Sequence, residues 1–539
     1  MMRLPWKLTA VVLFGVSLLF GGVFGDRLLA LNSEARDTLR LYTEMLQVAR
    51  ESYAGEVTYR DLVTASIEGM VQTLDPHTSF LSAEAYSSMR DRQQSSFYGL
   101  GILVGMRNRQ LTVITPIDGT PASRMGIRAG DVISAIEGDP TEPMSINEAV
   151  RLLKGPKGTT VTITIVRPGL DEPLELSIER DEIPQAAVRY VHMMTPKIGY
   201  MTISDFNRGT GREVAEALEL LRKEGMEGLL IDLRSNGGGL LDQAIEVVEL
   251  FVPRGAKIVE TRGRTRDSFQ QYFASQERSG PDLPLVLLVG QGTASAAEIL
   301  AGAIQDHDIG LIVGTPTWGK GLVQTVYSLS YGSGLALTTA KYYTPSGRLI
   351  QRDYSSWFHY ANPSNGSSNG PQGKGDADQA FLTDLGRKVY PGGGIEPDVR
   401  VETQELPTFL QYLLSRNAFF DFAVEQVNGH PIDSTDWTPS EELLHRFQAW
   451  LIEKSLATEE EIDRGLSETE QREPALRYLK AEFMNAAFGI EERFKTLAQG
   501  DPQIQQALKL FDRAAELLAH RQQLEAEPAE RTSALGLSN

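Results

Sequence analysis

Between residues 198 and 313, four short apolar runs alternate with three segments of helical period. The runs occupy 198–203, 228–233, 285–289 and 311–313, and the helices are predicted over 212–224, 241–251 and 296–305. Such alternation needs crossover connections, which implies an α/β core. Two longer β-rich runs, 321–329 and 335–343, follow.

The rest of the chain has other periods. Residues 33–51 and 59–74 repeat with helical spacing until Asp75-Pro76 breaks the pattern. From about Ser95 the period becomes two, with strands expected over 111–115, 131–137 and 159–167 and one helix over 146–153. A Gly/Ser/Asn-rich stretch at 362–380 reads as a mobile insertion. Beyond Asp398 the pattern is helical and charged, best over 443–451, 476–488 and 504–518, and the tail from about Glu525 reads as disordered. A chain of 539 residues is too long for one core. The expected units are 1–30, a signal or membrane anchor; 31–94, a helical module; 95–182, a β-rich domain; 183–400, the α/β core; and 401–539, a helical extension.

Charge and composition narrow the function. A formal charge of −19 argues against a nucleic-acid partner, which needs a basic stripe. With no cysteine, disulfides, thiolate catalysis and Cys-based metal sites are all removed. The seven histidines form no cluster with metal-ligand spacing, so neither metal nor cofactor is expected. At the N-terminus, Arg3 and Lys7 precede an uncharged run, 8–25, that ends at Asp26. Eighteen residues at 1.5 Å each span about 27 Å, enough for a short membrane segment. A positive flank before an apolar run is also the pattern of a secretory signal. The expectation is an extracytoplasmic protein of a bacterial periplasm, tethered to the inner membrane by residues 8–25.

Three elements carry chemistry. The first is Gln291-Gly292-Thr293-Ala294-Ser295-Ala296-Ala297-Glu298, between an apolar strand and a helix. A serine there is first a good N-cap. The functional alternative, which this motif alone does not establish, is a nucleophile exposed on a tight turn, with the helix N-terminus stabilising developing negative charge. The second is Pro316-Thr317-Trp318-Gly319-Lys320-Gly321-Leu322-Val323-Gln324, where a lysine between two glycines is poorly placed for solubility and well placed to enter a site. The P-loop spacing is absent, and an ordinary turn lysine is the plain alternative. The third is Asp232-Leu233-Arg234-Ser235-Asn236-Gly237-Gly238-Gly239, whose glycines offer backbone N–H groups as an anion cradle.

Taken together, these elements, with Thr339-Ala340-Lys341-Tyr342-Tyr343-Thr344-Pro345-Ser346-Gly347 and Gly394-Ile395-Glu396-Pro397-Asp398, resemble the carboxy-terminal processing (tail-specific) serine proteases. The resemblance covers roughly residues 35–400 and leaves the last 140 unread. It implies a Ser–Lys protease core with Ser295 as nucleophile, Lys320 as general base and Gln324 orienting the amine. It further implies an oxyanion hole from the N–H groups of Ala296 and Gly238, or Gly237, and a supporting acid at Asp306, for which a surface position at the helix end is an equal alternative. Two departures stand out. The family has Asn-Pro-Gly-Gly where this chain has Asn236-Gly237-Gly238-Gly239, and Ser-Ala-Ser-Glu where it has Ser295-Ala296-Ala297-Glu298.

An exposed lysine is charged at neutral pH and useless as a base, so the assignment requires Lys320 to be buried, with Trp318, Leu322 and Val323 as the dry wall. A His-based triad is the natural competitor, but His307, beside Asp306, suits a surface helix end better. Residues 95–182 resemble the PDZ domain of the same family, for which the resemblance implies either capture of a substrate tail or gating of the site. In tail capture, Tyr98, Gly99, Leu100, Gly101 and Ile102 would bind a substrate tail that adds as a strand and presents its terminal carboxylate to backbone N–H groups. The partners implied are the C-terminal tails of protein substrates, with an adaptor or activator protein and a homo-oligomer as further expectations. The competing function is a catalytically silent PDZ scaffold that binds protein C-termini.

Overall fold

The computed structural model describes residues 33–278, 280, 282–355, 380–427, 432–466 and 469–534. The expected membrane segment at 8–25, and all but the last residue of the 362–380 insertion, lie outside them. Among the described residues no helix is long and apolar enough to cross a membrane.

Two compact units divide the chain. The smaller holds residues up to Ser82 with Val326–Leu337. Its helices α1 (Ser33–Ser52) and α2 (Tyr59–Gln72) follow the expected helical spacing. Thr58 starts α2 through a capping box with Asp61. Strand β1 (Ser79–Leu81) pairs antiparallel with Gly334–Ala336.

The larger unit begins with α3 (Ala83–Gln93) and the β-rich domain. There β2 (Ser96–Gly99) pairs with β9 (Asp181–Pro184). The strands β3 (Ile102–Arg107), β4 (Gln110–Pro116), β5 (Val132–Ile136), β6 (Asp139–Pro140), β7 (Thr160–Val166) and β8 (Leu174–Glu179) form one sheet in the order β3-β4-β5-β7-β8, with β6 on β5. Two helices, α4 (Pro121–Arg124) and α5 (Ile146–Leu153), interrupt the strands, and Leu111, Val113, Ile133, Ile163 and Ile165 fill the core. Among the described residues, one edge of β3 carries no neighbouring strand.

The α/β core is a six-stranded sheet in the order β10 (Val188–Met193), β11 (Ile198–Ile203), β12 (Gly228–Asp232), β15 (Leu285–Val289), β16 (Leu311–Gly314) and β21 (Val399–Arg400). All neighbours from β11 onward are parallel. The crossovers run through α6 (Thr210–Lys223), α7 (Leu241–Glu249) and α8 (Ala296–Asp306). Away from this sheet, β13 (Lys257–Gly263) pairs with β14 (Gln270–Phe273) and with residues 340–343 of β18 (Gly334–Tyr343), which follows β17 (Leu322–Ser328). The short hairpin of β19 (Phe381–Leu382) and β20 (Lys388–Val389) precedes β21.

Strand β15 is apolar throughout, and β12 up to its last residue Asp232, because both faces are covered. Leu229, Ile231, Leu287 and Val289 pack with Val214, Val247 and Leu300 of α6–α8. The alternate residues Leu230, Val286, Leu288 and Val313 meet Ile504, Ala507, Phe511 and Ala514. Those four come from α15 (Pro502–Leu508) and α16 (Phe511–Ala534), the last helices of the chain. Residues 401–539 therefore divide in two. The helices α9 (Thr408–Ser415), α10 (Ala418–Val427), α11 (Glu441–Glu453), α12 (Glu459–Leu466) and α13 (Thr469–Phe488) build a core of their own around Phe419, Phe422 and Phe447. After α14 (Ile490–Gln499), α15 and α16 close the second face of the parallel sheet. The tail expected to be disordered from about Glu525 is helical to Ala534.

The β-rich domain rests on α10. The Arg107 guanidinium lies 4.0 Å above the Phe420 ring, and a Cβ at Gly130 would strike Val424 at 2.3 Å. Burial pushes the Asp421 carboxyl up to about 6, opposed by Arg107 and Lys454 and reinforced by Glu425 and Glu482. A carboxyl raised in the folded state gives stability that is present below its unfolded value near 4 and lost as pH rises through about 6. Asp421→Asn is therefore expected to stabilise the fold at pH 8, by about 1 kcal/mol after allowance for its partial exposure, and to do nothing at pH 4. Denaturant unfolding at the two pH values checks this; equal effects at both would contradict it.

Candidate active site

The three sequence elements all lie in loops that leave the carboxyl ends of adjacent parallel strands. The Asp232–Gly239 element follows β12, the Ser295 turn follows β15, and the Lys320 loop follows β16. This is where ligands gather on open α/β sheets.

Ser295 stands at the N-cap of α8 with φ 57° and ψ −118°, a conformation L-residues rarely adopt. Its hydroxyl makes no capping bond. The Glu298 N–H donates to the Ser295 carbonyl (2.8 Å). A strained turn that lifts a serine from the end of a strand to the start of a helix is the geometry of an exposed nucleophile.

Glu298 is the residue around which the site is assembled. Its Oε2 accepts from the backbone N–H of Ser295 (2.8 Å) and from that of Lys320 (2.9 Å). Its Oε1 accepts from the Gly319 N–H (2.7 Å) and the Thr317 hydroxyl (2.5 Å). Thr317 Oγ1 itself accepts from the Ile395 N–H (2.7 Å), which commits its own proton to Glu298. Burial pushes the Glu298 carboxyl up, while the bonds from Thr317, Lys320, Gly319 and Ser295 pull the other way. Four converging donors on a fully buried side chain fit the carboxylate form. Tyr342, also buried, places its hydroxyl 3.0 Å from the Ser295 carbonyl and 2.6 Å from that of Lys320. One carboxylate oxygen and one phenol thus each span residues 295 and 320.

Lys320 Nζ donates to Gln324 Oε1 at 2.7 Å. The lysine is half-buried, short of the burial expected for a base that is neutral at working pH. Leu322 is buried beside it and Val323 packs against the main core, but Trp318 is only half-buried, with the Arg352 guanidinium 5.3 Å from its ring. The wall is dry on one side.

The glycine loop reaches the serine closely. A Cβ on Gly238 (φ 106°) would lie 2.7 Å from Ser295 Cβ and 3.0 Å from the Ala296 nitrogen. Only glycine fits there. At Gly237 a Cβ would meet nothing within 4 Å, so the departure from proline at that position costs no packing. The Gly238 N–H, one of the two expected oxyanion donors, is held by Asn236 Oδ1 at 2.8 Å. The other, Ala296 N–H, sits in the first turn of α8, where no carbonyl of its own helix can accept it.

Asp306 is neither on the surface nor at the serine. It lies eleven residues along α8 from Ser295, about 16 Å at the helical rise. Its carboxylate takes Arg348 Nη2 (2.8 Å) and the Ser346 N–H (3.0 Å), with both side chains of the ion pair 1% exposed. His307 is corrected likewise. It is buried, with Nδ1 2.8 Å from Asp384 and Nε2 2.7 Å from the Lys257 carbonyl. Among the described residues, no group of three or more His, Asp or Glu is placed to hold a metal.

In the β-rich domain, Gly101 has φ 76°, and a Cβ there would lie 2.3 Å from that of Thr120. The carbonyls of Leu100 and Gly101 accept from the N–H groups of Ala122 (3.0 Å) and Ile117 (2.9 Å), which fixes the loop ahead of β3. Leu100 is buried, Ile102 half-buried and Tyr98 exposed. Beside the loop is a cavity of about 420 Å³ lined by Asp91, Gln94, Phe97, Tyr98 and Lys154.

Fold and loop chemistry define a serine-type peptidase with an attached PDZ domain. The chain belongs to peptidase family S41, whose family model matches residues 197–354, and to its carboxy-terminal processing proteases; a PDZ domain model matches 112–167. The carboxy-terminal-processing protease of Bartonella bacilliformis is 41% identical over 317 residues, 58% of this chain and 72% of that protein. The carboxy-terminal processing protease CtpA of Bacillus subtilis is 32% identical over 420 residues, 77% of this chain and 85% of that one. Among solved structures, a photosystem II D1 C-terminal processing protease aligns with 69% of this chain and 95% of its own at 28% identity, with a TM-score of 0.35.

Proposed function

We propose that this peptidase is an endopeptidase that cuts extracytoplasmic proteins at or near their C-termini, with Ser295 as nucleophile, Lys320 as general base and Gln324 orienting the amine. The observation that carries the reading is the shared support of residues 295 and 320 on Glu298 and Tyr342, with the Lys320 amine turned to Gln324.

The neutral amine takes the hydroxyl proton as Ser295 Oγ attacks the scissile carbonyl. The proton passes to the departing amine, the C–N bond breaks, and water then hydrolyses the acyl-enzyme by the same route in reverse. A half-buried lysine is not dry enough alone. A peptide lying in the cleft would remove the remaining water and disfavour the ammonium. The developing oxyanion would take the Ala296 N–H and draw the Gly238 N–H away from Asn236, since an anion is the stronger acceptor. Secretion is supported by the apolar run 8–25 behind Arg3 and Lys7.

The PDZ domain recruits the substrate. A C-terminal tail adds to the open edge of β3 and gives its carboxylate to the N–H groups of residues 100–102. Gly101→Ala is expected to weaken binding of a fluorescent apolar-tailed peptide to the Ser295→Ala chain by about tenfold or more, because both φ and space forbid a side chain there. Unchanged affinity in a fluorescence titration would rule this tail site out. For the whole reading, the test is cleavage of a protein carrying an apolar C-terminal tail by the purified chain, followed by mass spectrometry of the product ends.

A further inference from the structure

Arg234 opens the glycine loop and is gripped from two distant parts of the chain. Its Nε and Nη2 make a forked contact with Asp232, at 3.0 and 2.7 Å. Its Nη1 reaches both oxygens of Asp501, at 3.1 and 2.9 Å, and Gln503 Oε1 at 2.9 Å. Asp501 caps α15, with Oδ1 accepting from the N–H groups of Gln503 (2.9 Å) and Ile504 (3.0 Å). A guanidinium at a helix N-terminus is unfavourable for the helix dipole, so the contact does not serve α15. It serves the loop.

The backbone of that loop is the frame of the serine turn. A Cβ on Gly292 would strike the Arg234 carbonyl at 2.4 Å. Thr293 Oγ1 donates to the Leu233 carbonyl (2.7 Å), and the Ala294 N–H donates to the Asn236 carbonyl (2.9 Å). A shift of the loop backbone at Arg234 would therefore be felt by residues 292–295, beside Gly238 and Ser295. A planar guanidinium held at both ends by carboxylates has little freedom to swing.

We propose that Asp501 is a positioning residue for proteolysis, through which the C-terminal helices fix Arg234 and with it the oxyanion loop. The inference rests on the assignment of Ser295 and that loop to the active site. It makes the helices beyond residue 500 part of the catalytic apparatus.

The test uses the full chain with Asp501→Ser, which keeps an oxygen for the α15 cap and removes the carboxylate from Arg234. The expected result is a fall in kcat of about tenfold with KM within about twofold, and an equal loss of affinity for a peptide boronate, which mimics the tetrahedral intermediate. Asp501→Asn, which keeps one acceptor for Nη1, should recover part of both. The inference is overturned if kcat and boronate affinity stay at wild-type values, or if the loss is confined to the unfolding midpoint or to KM. Ser295→Ala runs beside it. If that variant still cleaves, the site assignment itself fails, whatever Asp501→Ser does.

Discussion

Ser295→Ala is expected to lower cleavage of an apolar-tailed substrate by at least about 10⁴-fold, and Lys320→Ala by a similar factor. Alanine at 295 removes the only atom that can form the acyl-enzyme. Alanine at 320 leaves the hydroxyl without a base, and Lys320→Arg should be no better, because a guanidinium stays protonated. The fold should survive. The Ser295 hydroxyl makes no capping bond, and its backbone is held by Glu298 and Tyr342, which do not change. Relieving a non-glycine side chain of nothing but one hydroxyl also leaves φ 57° as strained as before, so the unfolding midpoint should move little. The check is steady-state cleavage beside thermal unfolding for each variant. Turnover within tenfold of wild type by either would remove that residue from the reaction.

Glu298→Gln is the second large effect, and it comes from a residue that touches no substrate. The amide is nearly isosteric with the carboxylate, but it turns one acceptor oxygen into a donor. Every group facing Glu298 is a donor: the N–H groups of Ser295, Gly319 and Lys320 and the Thr317 hydroxyl. Whichever way the amide turns, donors face donors, at a cost of about 3 kcal/mol or more in a dry site. Part of that cost should appear as lowered stability. The rest should appear as displacement of residue 295 from residue 320, with kcat down about 10³-fold. Phosphonylation of the serine by a fluorophosphonate, in which Oγ bonds to phosphorus and fluoride leaves, should slow in parallel. A Glu298→Gln chain with unaltered kcat would show that the shared carboxylate does not set the site's geometry.

The sequence exposed the site more fully than the architecture around it. Strands 198–203 and 285–289 are legible because both faces are buried and every position is apolar or small. The strand β13 is not, since Lys257, Glu260 and Arg262 break its pattern, and Glu260 is buried only because Arg262 and Gln271 pair with it. Strand β10 is disguised by an irregular register between Arg189 and His192. The predicted helix 504–518 is two helices, broken around Lys509 and Leu510.

At the site, the three loops were legible as glycine-flanked turns after apolar strands. Glu298 stood in the sequence at the capping-box distance from Ser295, a signal for its bond to that N–H. Its bond to Lys320, 22 residues on, has no local signature. His307, and Asp306 in one of its two readings, are expected on the surface because they end a helix. They are buried because residues 384–398 fold over them, with Asp384 on His307 and Arg387 and Asp398 beside Gln305. The same limit hid Asp501, whose partner Arg234 lies 267 positions earlier.

The proposed proton transfer from Ser295 to Lys320 is tested by chemical rescue. The rate of Ser295 acylation by an activated ester is followed in Lys320→Ala as small primary amines are added. Negligible acylation is expected without amine, with recovery that rises with the concentration of the unprotonated amine. Wild-type acylation by Lys320→Ala with no dependence on added amine would contradict the proposed transfer.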